Sequence, residues 1–167
     1  MLQPALAAHY RTIAIDLPGH GGSSKQVGDG SAAALADAIA PLIDDLAPGS
    51  LHLVAHSFGA LIAMQLLMRR PEVRGFISVA PPANMYDFSF LAPCPASGII
   101  VQGASDTVVT PNAVQKLDDK LRTQKHITIH HDEIPRANHF YEAELDEMMR
   151  AVDNYLDMRL SPDCPIR

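Results

Sequence analysis

The sequence predicts a three-layer α/β fold built on a mostly parallel sheet of five strands. Three observations carry that prediction. Short Val- and Ile-rich runs alternate with longer helical patterns, which is the mark of successive βα units. Four of the five runs are almost uniformly apolar, as strands covered on both faces are. A length of 167 residues with 47% hydrophobic and 19% charged side chains suits one domain with one core, so residues 1–167 are expected to fold as a single domain.

The first expected strand is Thr12 to Asp16. A helix follows from Ser31 to Leu46, Ala-rich and interrupted by Pro41, which lacks a backbone donor and must kink it or start a second short helix. The second strand, Leu51 to His56, runs into a helix from Phe58 to Arg70 that stops before Pro71. The third and fourth strands are Gly75 to Ala80 and Gly98 to Gln102. Thr110 and Pro111 form an N-cap with proline at the first helical position, opening a helix to about Thr123. The fifth strand, Ile127 to about Ile134, alternates apolar and polar and so is expected at an edge. The last helix, Glu142 to Leu160, places Leu145, Met148, Val152, Tyr155 and Leu156 at core-facing intervals.

Charge and cysteine content exclude several function classes. Thirteen Lys and Arg against 19 Asp and Glu give a net charge of −6, so the chain offers no basic surface for nucleic acid or anionic lipid. Cys94 and Cys164 are too far apart for a CxxC pair, which fits a reduced, cytoplasmic setting. No apolar run approaches the ~18 residues of a membrane span, and the first residues lack the pattern of a signal peptide.

The chemistry concentrates in LHLVAHSFGALIAMQLL, an apolar strand running through Ala55-His56-Ser57-Phe58-Gly59 directly into a helix. This is the pattern of a nucleophile elbow, in which the turn is so tight that the serine's neighbours must be small, hence Gly59 and Ala55. The turn exposes Ser57 Oγ above a helix N-terminus, where developing negative charge is favoured, and the Phe58 N–H is placed to donate to an oxyanion. A serine hydroxyl is a poor nucleophile unless a histidine takes its proton and a carboxylate holds that histidine. Asp106, after the strand GIIVQ, and His139, after the last strand in RANHF, supply both in the order Ser, Asp, His.

Competing roles exist for each residue. An Asp between strand and helix is commonly a turn residue, and a loop histidine among eight is commonly just solvated. His56 fits a packing or pocket-wall role better than that of a base. His130-His131-Asp132 could suggest a metal, but adjacent strand residues face opposite sides, so no metal site is expected. Pro81, Met85, Tyr86 and Phe88 are expected to form an apolar wall beside Ser57, or else simply to cover the sheet edge.

These residues and motifs resemble an α/β-hydrolase-fold serine hydrolase along nearly the whole chain. Residues 61–160, with MQLLMRRPEVRGFISVAPPANMYDFSFLAPCP, GASDTVV and RANHF, resemble compact, lidless bacterial hydrolases related to dienelactone hydrolases. Residues 1–60, with AIDLPGHGGSS and HLVAHSFGA, resemble instead the lidded esterases and C–C bond hydrolases. The resemblance implies a truncated version of an eight-stranded sheet, because residues 1–10 correspond to the end of the first family helix and three strands have no counterpart. Thr12 to Asp16 then either pairs directly with Leu51 to His56 or leaves a gap.

The resemblance also implies a missing second oxyanion donor, which relatives take from the loop after an absent strand; loss of one such donor costs about 10²- to 10³-fold in kcat. The Gly19 to Gly22 loop is the available substitute. Only seventeen residues join Ala80 to Gly98, too few for a helical lid.

The expected activity is hydrolysis of small carboxylic esters through an acyl-enzyme, with no metal or organic cofactor. Two alternatives stay open: a catalytically weak scaffold or binding module, and a thioesterase or C–C bond hydrolase using the same residues. An exposed edge at Thr12 to Asp16 would also invite homodimerisation by strand pairing.

Overall fold

The computed structural model describes residues 2–46 and 49–164. The elements, in order, are α1 (Leu2–Ala7), α2 (Ala32–Ile39), α3 (Leu42–Leu46), β1 (Leu51–His56), α4 (Phe58–Leu67), β2 (Val73–Val79), β3 (Gly98–Gly103), α5 (Pro111–Arg122), β4 (Ile129–Ile134) and α6 (Leu145–Leu160). A single 3₁₀ turn, Ser89–Leu91, lies between β2 and β3. No described helix is long and apolar enough to cross a membrane.

The sheet has four strands in the order β1-β2-β3-β4, and every pairing is parallel. The expected fifth strand is absent: Thr12 to Asp16 joins no ladder, and Ile13 and Ile15 are 47% and 42% exposed. Of the two arrangements open to this segment, the structure has the unpaired one. Its ends are anchored on opposite sides of the sheet, with Leu6 and Tyr10 in the α6 cluster and Leu17 beside α2. A short apolar run identifies a segment able to lie in a sheet, but only an adjacent strand can satisfy its backbone groups by pairing. The edge strands are accordingly β1 and β4.

Alternation along the buried strands divides the core into two layers. Phe76 and Ile100 face α4 and α5, meeting Leu61, Met64, Val114, Leu117 and Leu121. Ile77, Val79, Ile99 and Val101 face α6, meeting Met148, Val152, Tyr155 and Leu156. A third cluster seats Leu35, Ala36 and Ile39 of α2 on Ile62 and Leu66 of α4.

The helices differ from the sequence expectation mainly at their ends. Ser31 Oγ accepts the Ala34 N–H and caps α2, and Pro41 splits the expected long helix into α2 and α3. α4 stops at Leu67, short of Arg70, because the residue before Pro71 is pushed out of helical conformation. α6 begins at Leu145, not Glu142, after a turn in which Tyr141 holds φ +54°. β2 begins two residues early, at Val73, where it pairs with Leu51, and β4 begins two residues late.

Candidate active site

Successive βα units place their connecting loops at the carboxyl ends of the parallel strands, where ligands of such sheets bind. Ser57 follows β1, Asp106 follows β3 and His139 follows β4, so one rim gathers all three. Ser57 sits at φ +55°, ψ −127°, a backbone conformation that side chains rarely adopt. It is held there by its own N–H donating to Val79 O at 2.8 Å and by its carbonyl accepting the Ala60 N–H at 2.9 Å. A Cβ at Gly59 would stand 3.9 Å from the Ala55 Cβ, an ordinary contact, so the space around this position does not by itself demand glycine.

A continuous hydrogen-bonded chain runs through the three residues. His139 Nε2 lies 3.0 Å from Ser57 Oγ, and His139 Nδ1 lies 2.8 Å from Asp106 Oδ2. Asp106 and His139 are 4% and 5% exposed. The other carboxylate oxygen, Asp106 Oδ1, accepts N–H groups from Val108 and Val109, both at 2.8 Å. Those bonds fold the 106–109 turn around the carboxylate and fix its orientation toward the imidazole. Buried Gln102 donates to Gly103 O and Val109 O, bracing the same turn.

His56, which the sequence left as a packing or wall residue, has a defined contact. Its Nε2–H donates to the His139 carbonyl at 2.9 Å, and the two rings lie 4.9 Å apart, centroid to centroid. Burial, foremost, lowers the His56 pKa, outweighing the bond to the His139 carbonyl, which raises it. The neutral ring that results is the form suited to a fixed single donor. Tyr141 packs edge-on to His56 and donates to Val101 O at 3.2 Å; burial, then the charge of Asp106, raises its pKa. Neither link between loop and sheet has a sequence motif, because each joins residues far apart in the chain.

The expected wall divides. Met85 and Tyr86 are exposed, with the Tyr86 ring 5.6 Å from that of Phe58. Pro81 is buried, and Phe88, only 7% exposed, belongs to the core under α5 while lining a cleft on its outer side. Asn84 ties this loop to the Asp106 turn by donating to Val108 O at 2.9 Å.

The Gly19 to Gly22 loop closes on itself. Gly22 N–H donates to Asp16 Oδ2, Ser23 Oγ to Asp16 O and Gly19 N–H to Ser24 O. A Cβ at Gly21 would overlap the Asp16 carboxylate, at 2.0 Å, and its φ of +46° is left-handed, so this turn depends on glycine. No described hydrogen bond joins the loop to Ser57. Ser57 is the N-cap residue of α4, and Phe58 is the first residue of that helix.

An uncharacterized protein of Rickettsia prowazekii is 45% identical over 108 residues, 62% of this chain and 45% of that protein. A pimeloyl-[acyl-carrier protein] methyl ester esterase of Aeromonas salmonicida is 43% identical over 77 residues, 45% of this chain and 29% of that one. The chain therefore spans less than half the length of these curated relatives. Among solved structures, a protein of unknown function from Agrobacterium tumefaciens superposes with a TM-score of 0.77 at 46% identity, over 86% of this chain and 67% of that one. A serine hydrolase without a lid from Xanthomonas campestris superposes at 0.71 with 27% identity, over 89% and 66%. The sequence pattern of the alpha/beta hydrolase fold matches residues 2–98, more than half of the chain, and the protein belongs to the alpha/beta hydrolase fold family.

Proposed function

We propose that the protein is a serine hydrolase that cleaves carboxylic esters through an acyl-enzyme, with Ser57, His139 and Asp106 as its catalytic residues. The observation that carries this reading is the unbroken chain from Ser57 Oγ through His139 to Asp106, at 3.0 and 2.8 Å, on a serine held at φ +55°. Ser57 Oγ attacks the ester carbonyl while His139 Nε2 takes its proton, and Asp106 holds the Nδ1–H that keeps Nε2 a base. The carbonyl oxygen becomes an oxyanion facing the Phe58 N–H and the α4 N-terminus. Collapse expels the alkoxide, which leaves as alcohol with the proton from His139. Water then attacks the acyl-enzyme carbonyl while giving a proton to His139 Nε2; collapse breaks the bond to Ser57 Oγ, His139 returns that proton to the serine oxygen, and the carboxylic acid leaves.

The esterase named among the relatives supports ester chemistry over other reactions of the same constellation. A slower reading is favoured by one observation, the self-closed Gly19 to Gly22 loop. With the Phe58 N–H as sole donor, kcat would be about 10²- to 10³-fold below that of a site with two.

The test is intact-mass analysis after a fluorophosphonate probe, with peptide mapping and a Ser57→Ala control, on protein whose folding is checked by circular dichroism. One label per chain, confined to Ser57, supports the reading. A folded, unlabelled chain overturns it and leaves a hydrolase-derived scaffold.

A further inference from the structure

A cleft of about 630 Å³ runs between the 83–92 loop and α5, within the size range of small-ligand sites. Its apolar side is formed by Tyr86, Phe88, Leu91 and Leu117, and its α5 rim carries Lys116 and Lys120. The cleft begins beside the catalytic residues: Tyr86 packs against Phe58, Asn84 is bonded to Val108 O, and α5 starts just after the turn that cradles Asp106.

The two lysines are one helical turn apart and so project from the same face. In a chain of net charge −6, neither side-chain ammonium group makes a hydrogen bond or ion pair among the described residues. By contrast, the nearby Arg122 is taken up by Asp118. One carboxylate, Asp87, also lines the cleft. It is occupied by Ser89, whose N–H and hydroxyl both donate to it; these bonds, ahead of the charge of Lys120, hold its pKa down. Along the helix axis, Lys116 and Lys120 lie about 9 and 15 Å from Thr110, at the end nearest the site.

We propose that this cleft holds the arm of an ester substrate that ends in an anion, carboxylate or phosphate, bound by Lys116 and Lys120. The inference rests on the esterase reading of Ser57 and deepens it: the apolar wall takes the chain of the arm, and the lysines select a charged terminus at medium-chain distance from the reacting carbonyl. A neutral arm of equal length gains the wall but not the cations.

Binding is read on the Ser57→Ala chain, which needs no turnover, by amide chemical-shift changes along α5. The probes are monomethyl suberate, methyl octanoate and octyl phosphate. Shifts at Lys116 and Lys120 with suberate, with octyl phosphate or with both, but not with methyl octanoate, support the proposal. Which of the anions works identifies the terminus. A Lys116→Ala, Lys120→Ala double variant loses these shifts, and the paired Lys→Arg variants keep them.

In turnover by the unaltered chain, mono-p-nitrophenyl suberate is expected to exceed p-nitrophenyl octanoate about fivefold in kcat/KM. That ratio falls toward unity in the double Ala variant and with added salt. Equal shifts from neutral and anionic probes, or shifts indifferent to both lysines, overturn the proposal. Anion-dependent shifts in a protein that neither hydrolyses either ester nor takes the fluorophosphonate support the anion site and overturn the esterase reading instead.

Discussion

Gly103→Ala tests whether two loops are as closely fitted as the site requires. Gly103 ends β3, three residues before Asp106, and is buried. A Cβ at this position would stand 2.5 Å from Ala137 O and 3.0 Å from Asn138 O, both backbone atoms of the loop that ends in His139. Ordinary contact begins near 3.4 Å, so the His139 loop must retreat by close to an ångström. Ala137 O also accepts the Ser105 N–H at 3.0 Å, so the same movement stretches the bond that fastens the two loops together. Overpacking of this kind costs about 1–3 kcal/mol, and an ångström of misplacement about 10²-fold in rate. For a chain of this size, each kcal/mol lowers Tm by about 2 to 4 °C. The assay pairs thermal unfolding with the rate of fluorophosphonate labelling per folded molecule. Gly49→Ala, whose added Cβ has no described atom within 4 Å apart from its chain neighbours, is the matched control and should change neither. A Gly103→Ala chain that labels at the unaltered rate, whatever its Tm, refutes the argument that this contact sets the position of His139.

His56→Phe removes the donor to the His139 carbonyl, a bond worth about 0.5–1.5 kcal/mol, and should lower kcat with KM unchanged; His56→Gln, which keeps an N–H donor, should recover part of the loss in steady-state kinetics. Burial is the first cause that lowers the pKa of His52 and of His56 below 6.5 in the fold, so the unfolded chain takes up protons first; Tm against pH should be flat above about 6.5 and fall as pH drops below it, and His52→Phe should flatten that decline. Ser31→Ala deletes the hydroxyl that accepts the Ala34 N–H and should cost about 0.5–2 kcal/mol in urea unfolding without altering turnover. β1 leaves one edge without a strand partner, with Val54 37% exposed beside it, so Val54→Lys should reduce concentration-dependent light scattering if that edge drives self-association.

The sequence alone determined the α/β class, the parallel sheet and the order Ser57, Asp106, His139, because each is written locally. Apolar runs such as GIIV mark buried strands, and the small-x-Ser-x-Gly turn can be read where a strand meets a helix. Tertiary structure alone decided whether Thr12 to Asp16 is a strand. Its apolar run is that of a strand, yet the segment stays unpaired because pairing depends on a neighbour that local composition does not specify. The same holds for the contacts that set the site. His56 meets the His139 carbonyl across 83 residues of chain, Gly103 leaves just enough room for Ala137 O, and Lys116 and Lys120 come to line a cleft with Tyr86. Local patterns fix which segments are able to form strands or helices and which residues carry reactive groups. Only packing, which joins distant residues through directional bonds and excluded volume, fixes how those groups meet.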